Sequence, residues 1–127
     1  MKTKKIIETS AASKAIGAYS QAVSYDNLLF TSGQIPLSPD TGMLVSDNIK
    51  EQIIQVLDNI EGILSSENLS FINILKLNVY LTDLNDFSLL NEIFIDRFDC
   101  DFPARSVVEV SKLPKDSRVE IDAICFR

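Results

Sequence analysis

Two eight-residue segments, Ile74–Leu81 and Val119–Phe126, offer apolar side chains on both faces of a strand. Strands of this kind are typical of a sheet whose two faces are both covered. Ile74–Leu81 is therefore predicted to be a central strand. This feature constrains the fold most, because the remaining elements, or other copies of the chain, must cover both faces.

Two helices are predicted from apolar residues that recur at spacings of three and four. The stripe of the first helix consists of Ile49, Ile53, Val56, Leu57, Ile60, Ile63 and Leu64. Asp47 or Asn48 can cap its start, and Asn68 is suited to end it in a left-handed conformation. The second helix follows Asp86, itself a good cap, and its buried stripe consists of Phe87, Leu90, Phe94 and Phe98.

Shorter strands are predicted at Lys4–Thr9, Ala22–Tyr25 and Leu28–Ser32, the last two joined by a turn at residues 26–27. The order of elements makes one α+β domain over residues 1–127, with two helices against one sheet. Two helices can cover only one face of that sheet. The other face is expected to be buried against further copies of the chain, so a homo-oligomer is predicted.

Composition argues against several kinds of function. The chain has no histidine, which removes histidine-dependent nucleophilic catalysis and histidine-based zinc sites. A net charge of −6 argues against binding to nucleic acid. No apolar run is long enough for a membrane helix, and no signal peptide is recognised. Two isolated cysteines, Cys100 and Cys125, favour a reducing compartment, so a cytoplasmic location is expected.

Two polar residues stand out against their apolar surroundings. Arg105 opens a strand directly after the turn Phe102-Pro103-Ala104, and its guanidinium is suited to a carboxylate or a phosphate. A surface ion pair, worth about 0–1 kcal/mol, would explain the same residue without any ligand. Asn91 lies in the stripe of the second helix, where its amide either lines a cavity or sits at the edge of the stripe.

Seven short motifs are distributed along nearly the whole chain. They are Ile16-Gly17-Ala18-Tyr19-Ser20-Gln21-Ala22, Thr31-Ser32-Gly33-Gln34-Ile35-Pro36-Leu37 leading to Thr41-Gly42, Asn59-Ile60, Leu84-Asn85-Asp86-Phe87 running on to Asn91, Phe102-Pro103-Ala104-Arg105-Ser106, Leu113-Pro114-Lys115 and Val119-Glu120-Ile121. Each motif alone is weak. Together, and in this order, they resemble the RidA/YjgF family of reactive-intermediate imine deaminases.

The resemblance implies a chorismate-mutase-like fold, in which two helices back one face of a mixed six-stranded sheet. It also implies a homotrimer whose sheets form an inner barrel, with ligand sites in the clefts between subunits. In such a fold the last strand inserts beside earlier strands. Chain proximity alone predicts something different, a hairpin of Val107–Val110 with Val119–Phe126.

The activity implied by the resemblance is hydrolysis of 2-imino acids and their enamine precursors to 2-keto acids and ammonia. Pyridoxal-phosphate enzymes release these intermediates and are damaged by them, so the implied role is protective. No cofactor and no metal are expected. The expected ligands are small 2-imino and 2-keto acids, and neither a nucleic acid nor a membrane is an expected partner.

The resemblance also assigns roles to individual residues. Arg105 would bind the substrate carboxylate through paired charge-assisted hydrogen bonds. Glu120 would activate the attacking water and pass a proton to the leaving nitrogen. The substrate-binding set consists of Tyr19, Ser32, Gly33, Asn91, Arg105 and Val107. Taken alone, Glu120 is also explained as a solvated strand residue, as Asp122 is, and the others as ordinary packing and turn residues.

Four features depart from the family pattern. Ala18 stands in place of a usual proline, Val107 in place of a cysteine found in some members, and Phe94 in place of a frequent tyrosine, while the segment 99–101 is shorter. None removes the arginine–glutamate pair, so activity is expected and the substrate range stays open. The alternative is a non-catalytic protein that binds small carboxylates or a partner in the same cleft. A ribonuclease, as some members have been described, fits the acidic, histidine-free chain poorly.

Overall fold

The structure, a computed structural model, describes residues 3–127 and consists of one mixed six-stranded sheet with two α-helices. The strands are β1 Lys5–Ile7, β2 Ala22–Tyr25, β3 Leu28–Thr31, β4 Ile74–Leu81, β5 Ala104–Glu109 and β6 Val119–Phe126, and the helices are α1 Ile49–Ser66 and α2 Phe87–Phe98. The strand order is β1-β2-β3-β6-β4-β5. Only β4 and β5 are parallel; every other pair is antiparallel. The predicted α+β class is confirmed.

The last strand lies inside the sheet, between β3 and β4. The hairpin of β5 with β6 that chain proximity predicts is therefore wrong, and the insertion implied by the family resemblance is correct. The physical reason is that β5 follows β4 in parallel through α2, which leaves the other side of β4 free for β6. In this position β6 forms backbone hydrogen bonds along both of its edges.

The apolar stripe predicted for the first helix forms the buried side of α1. Asn48 rather than Asp47 is the cap, because its side-chain oxygen accepts a hydrogen bond from the Glu51 N–H at 3.0 Å. Asn68 follows the helix with a positive φ of 59°, as predicted. Across residues 3–127, neither this helix nor α2 has the length and apolar character to cross a membrane.

The second helix begins after Asp86, but two details of its prediction are wrong. The Asp86 side chain makes no capping hydrogen bond. Its Oδ2 lies 3.6 Å from the Arg118 Nη2, which is close enough for an ion pair and too long for a hydrogen bond. Phe87 is 38% exposed rather than buried, whereas Leu90 and Phe94 are in the core. Phe87 lies in the first turn of α2, where its ring faces Arg105 instead of the core.

Both helices pack on the same face of the sheet and form the core with it. The core-facing residues of β4 and β6 alternate with residues of the opposite face, which no helix of residues 3–127 covers. This open face carries the exposed large apolar side chains Ile6, Tyr25, Leu28, Phe30, Val108 and Phe126. A cluster of exposed apolar side chains on one face of a sheet is typical of an interaction surface.

Candidate active site

The segment after β3 is held against β6 beside Glu120. The Gln34 N–H donates to the Ile121 carbonyl at 2.8 Å, and the Ile121 N–H donates back to the Gln34 carbonyl at 3.1 Å. This pairing brings the backbone of Gly33 directly under the Glu120 side chain. A Cβ at position 33 would overlap Glu120 Oε2 and lie 2.8 Å from its Cδ. A larger residue at position 33 would therefore displace the Glu120 carboxylate from its observed position.

Glu120 lines a cavity of about 340 Å³, which we call the Glu120 cleft. Its lining consists of Ile16, Tyr19, Ser32, Gly33, Ile35, Pro114 and Glu120. The Tyr19 hydroxyl accepts a hydrogen bond from the Ile16 N–H at 3.1 Å, so its own hydrogen is free for a ligand. The Ser32 hydroxyl donates to the Ser20 carbonyl at 2.6 Å and keeps its acceptor capacity. Within residues 3–127 the Gly33 N–H has no acceptor, so it is a second available donor.

The Glu120 carboxyl has an altered affinity for protons. Burial raises the pKa of Glu120 above its ordinary value, and the charge of Asp122 raises it further. A carboxyl with a raised pKa exchanges a proton more readily near neutral pH than an ordinary one. Four predicted site residues, Tyr19, Ser32, Gly33 and Glu120, thus meet in one cleft that has donors and an acid–base group.

Arg105 lies elsewhere, on β5 at the edge of the sheet, and its guanidinium packs between two aromatic rings of α2. Its central carbon is 5.2 Å from the Phe87 ring centroid and 5.3 Å from that of Phe94. Burial lowers the pKa of Arg105, although arginine remains charged. In the part of the chain that the structure describes, no carboxylate forms an ion pair with this guanidinium. The surface ion pair considered for Arg105 is therefore not formed.

Val107 and Asn91 lie on the same side of the sheet as Arg105. Val107 is two residues further along β5 and packs against the core from that face. Asn91 follows Phe87 by four residues and precedes Phe94 by three, which places it on the side of α2 that faces Arg105. Its half-buried amide makes no hydrogen bond to another residue of the 3–127 range. Arg105, Asn91 and Val107 form a second group, which we call the Arg105 group.

The two groups lie on opposite faces of the sheet. Arg105 pairs with Leu77, which pairs in turn with Ala123, whereas Glu120 pairs with Tyr80. Paired residues share a face, and residues three apart in a strand point to opposite faces. Two strand spacings and three residues along a strand separate the Cα atoms of Arg105 and Glu120 by about 14 Å. One chain therefore cannot direct both side chains at one small molecule.

Three polar residues beside Glu120 were missed by the sequence prediction. Asp122 is half-buried rather than freely solvated and accepts a hydrogen bond from Asn78 Nδ2 at 2.8 Å, and Tyr80 lies on the same face. The charge of Asp122 is the main cause that raises the pKa of Tyr80, followed by burial. The spacing of Glu120 and Asp122 was an available signal, because residues two apart in a strand share a face.

Buried amides fix the loops that carry the Glu120 cleft. Gln21 accepts a hydrogen bond from the Thr9 N–H at 2.7 Å and donates to the Ser13 carbonyl at 2.7 Å. It thereby anchors the loop that presents Tyr19. Asn59 of α1 donates to the Leu37 carbonyl at 3.0 Å and holds the segment that follows Gly33. Both residues lie in motifs that carry the family resemblance. Their side chains hold the loops of the cleft in place and do not line the cleft themselves.

The segment 99–101 turns sharply after α2. Asp99 and Asp101 have positive φ angles of 62° and 56°. Cys100 between them is exposed, while Cys125 is buried in β6. Burial raises the pKa of the Cys125 thiol to about 12, so this thiol behaves as a small apolar side chain.

Comparison with known proteins gives matches along nearly the whole chain. The family model described as endoribonuclease L-PSP matches residues 9–126. A RutC family protein of Pyrococcus horikoshii is 48% identical over 124 residues, which cover 98% of each chain. The human 2-iminobutanoate/2-iminopropanoate deaminase is 43% identical over 124 residues, which cover 98% of this chain and 90% of the human one. The crystal structure of Escherichia coli TdcF with bound serine has a TM-score of 0.90 at 44% identity, covering 97% of this chain and 98% of that one.

Proposed function

The chain belongs to the RidA/YjgF family, which the endoribonuclease L-PSP model describes, and from this we propose that it is a cofactor-independent imine deaminase. The reaction adds water to the C=N bond of a 2-imino acid and releases a 2-keto acid and ammonia. The proposed substrates are 2-iminopropanoate, which forms from 2-aminoacrylate, and 2-iminobutanoate. The name of the human relative supports this substrate class.

The observation that carries the proposal is the guanidinium of Arg105. It is held by two rings and has no carboxylate partner in residues 3–127, so its donors are available to a ligand. A 2-imino acid supplies the missing carboxylate, which a guanidinium binds in a bidentate manner. Hydrogen bonds to charged groups contribute about 1.5–3 kcal/mol each. The bound serine in the related TdcF structure is likewise a small carboxylate.

We propose that two chains supply each site and that the protein is a homotrimer with three interfacial clefts. The placement of Arg105 and Glu120 on opposite faces supports this, because a second chain is needed to bring the two groups together. One chain would contribute the Arg105 group and its neighbour the Glu120 cleft. The open apolar face of the sheet supports assembly as well, since burial of that face would stabilise the trimer.

Glu120 performs the proton transfers in the proposed mechanism. It accepts a proton from water as the water oxygen bonds to the imine carbon, and the π electrons of the C=N bond move to nitrogen. The carboxyl then donates this proton to nitrogen. The carboxylate next takes the proton of the hydroxyl oxygen and delivers it to nitrogen as the C–N bond breaks, which leaves a keto acid and ammonia. The raised pKa of Glu120 favours both directions of transfer. The Tyr19 hydroxyl and the Gly33 N–H orient the water or the imine nitrogen.

We further propose that the protein protects pyridoxal-phosphate enzymes from these reactive intermediates in the cytoplasm. The two free thiols, one exposed and one buried, support a reducing compartment. The alternative is a non-catalytic protein that binds small carboxylates in the same clefts. Such a protein would need the Arg105 group and would have no need of the acid–base function of Glu120.

The proposal is tested by adding the protein to a threonine or serine dehydratase and following the rate of keto-acid release. We expect the wild-type protein to accelerate release, and Arg105→Ala to abolish the effect while sedimentation still reports a trimer. Arg97→Ala is a matched control, because Arg97 also contacts an aromatic ring, that of Phe71, but is paired with Asp58 at 2.9 Å. The control should retain full activity.

Two outcomes would favour other functions. Binding of 2-ketobutyrate without any acceleration of keto-acid release, for several 2-imino acids, would favour the non-catalytic alternative. A monomer that retains full activity would contradict the two-chain site. Mixing Arg105→Ala with Glu120→Gln chains offers a direct check, since re-assembled trimers should regain part of the activity that each variant lacks alone.

A further inference from the structure

A second carboxylate lies beside Glu120 on the open face of the sheet. Asp122 is two residues further along β6, so the two side chains project from the same face about 7 Å apart at their Cα atoms. The mechanism proposed above uses only the first of them. Both are half-buried, which makes their mutual repulsion less screened than it would be in open water.

Asp122 is held in place by a donor from the neighbouring strand. Asn78, its register partner on β4, donates from Nδ2 to Oδ1 at 2.8 Å. Tyr80, the register partner of Glu120, lies on the same face beside Asn78. Asp122 is thus a fixed carboxylate next to a carboxyl that must gain and lose a proton.

Neither carboxylate is neutralised by an ion pair within residues 3–127. Glu120 is faced on β6 by Asp122, on β4 by Tyr80 and, one register pair beyond Asn78, by Lys76. Neither Glu120 nor Asp122 forms an ion pair with a lysine or arginine of this range. The residues that β3 and β5 present on the open face, such as Phe30 and Val108, are not ionisable. The segment after β3 contributes Ser32 and Gly33, and Tyr19 is the remaining titratable group of the cleft.

We propose that Asp122, held by Asn78, is a positioning residue for the deamination that makes Glu120 a stronger acceptor of the water proton. The inference rests on the proposed function, in which Glu120 takes and returns that proton. An ordinary glutamate is a weak base at neutral pH, and efficient transfer needs a group whose pKa lies nearer the working pH. The charge of Asp122 acts together with burial to raise the pKa of Glu120. The same charge is the main cause that raises the pKa of Tyr80 on this face.

The test is the charge-removing substitution Asp122→Asn, studied in the trimer by two measurements. The first is the titration of the Glu120 carboxyl carbon by NMR, which needs no substrate. The second is the pH dependence of kcat/KM for imine hydrolysis. We expect the Glu120 titration and the acid limb of kcat/KM both to move to lower pH, with a loss of activity at neutral pH. A merely structural role would lower activity without moving either titration.

Tyr80→Phe is the matched control, because it changes the register partner of Glu120 on the same face but keeps the Asp122 charge. In this variant the Glu120 titration should not move to lower pH. If Asp122→Asn does not fold, Asp122→Ser removes the same charge with a smaller side chain.

Failure of this inference and failure of the proposed function give different results. An active wild-type protein whose Asp122→Asn variant keeps the same Glu120 titration, or the same pH profile, overturns the inference alone. A wild-type protein without any imine hydrolysis overturns the proposed function, and with it any role of Asp122 in that reaction.

Discussion

The carboxylate of Glu120 occupies the space in which a side chain at position 33 would begin. A Cβ on Gly33 would meet the Glu120 carboxyl before any other group, with Cδ at 2.8 Å and Cγ at 3.1 Å. The glycine therefore sets where the carboxylate lies within its cleft. Because Glu120 is the flexible end of a side chain, an added methyl group would displace it and leave the backbone in place.

Gly33→Ala is consequently expected to lower activity far more than stability. A displacement of a catalytic group by about 1 Å can cost about 10²-fold in rate, and we expect a loss of kcat/KM of that order. Steady-state kinetics and thermal unfolding of the variant measure the two effects.

Gly42→Ala should show the opposite pattern and is the control for Gly33→Ala. Gly42 has a φ of +72° with open space around its Cα, so alanine there is strained but contacts nothing. A stability loss of about 1 kcal/mol with unchanged activity is expected. Equal activity of Gly33→Ala and the wild-type protein would contradict the role assigned to Gly33.

Arg105→Lys is expected to weaken ligand binding although it keeps the positive charge. Lysine cannot form the two parallel hydrogen bonds of a guanidinium and does not stack between the Phe87 and Phe94 rings in the same way. Loss of one charge-assisted hydrogen bond, about 1.5–3 kcal/mol, raises the Kd for 2-ketobutyrate by about 10- to 10²-fold. Calorimetric titration checks this, and Arg97→Lys should bind as the wild type does.

Gly62→Ala is expected to destabilise the protein, against the usual preference of helices for alanine. Gly62 lies within α1, where glycine normally costs about 1 kcal/mol relative to alanine. A Cβ there would overlap the Ala11 carbonyl oxygen and lie 2.7 Å from its carbon. Backbone cannot yield as a side chain does, so a loss of about 1–3 kcal/mol is expected in urea unfolding. The exposed Lys50→Ala on the same helix should change stability by no more than about 0.5 kcal/mol.

Only one of the two thiols should react in the folded protein. Cys100 is exposed, whereas burial raises the pKa of Cys125 to about 12 and excludes reagent. We expect a thiol reagent to label one cysteine per native chain and both in denaturant. Cys100→Ser should abolish native labelling, and rapid labelling of that variant would show that β6 opens readily.

The contribution of Glu67 to stability should depend on pH in the acid range. Hydrogen bonds from Lys5 and then from Arg127 lower the pKa of Glu67. A carboxyl whose pKa is lower in the folded state stabilises the fold above its unfolded pKa of about 4.3 and loses that effect as pH falls. The difference in free energy of unfolding between the wild type and Glu67→Gln should therefore be constant near pH 7. It should disappear below about pH 4. A difference that does not change down to pH 3 would contradict this ion pair.

Local pattern was sufficient for most elements of the fold. The stripe of α1, the bounds of Ile74–Leu81 and the left-handed Asn68 all follow from side-chain periodicity and backbone preference, which act over a few residues. The predictions were wrong where a residue distant in sequence attracts a side chain away from its local partner. Phe87 turns from the core to Arg105, and the Asp86 carboxylate faces Arg118 instead of capping its own helix. Such contacts cannot be read from local spacing.

The sequence by itself determined that this chain has no histidine for its chemistry, and its motifs, through the family resemblance, predicted Arg105, Glu120 and Gly33 as site residues. Only the tertiary structure decided where those groups point. Strand side chains alternate with a period of two, so the register of β5 on β4 and of β4 on β6 determines the face on which each one lies. That register separates Arg105 from Glu120 and places Asn78 opposite Asp122, since pairing between distant strands depends on the packing of the whole sheet.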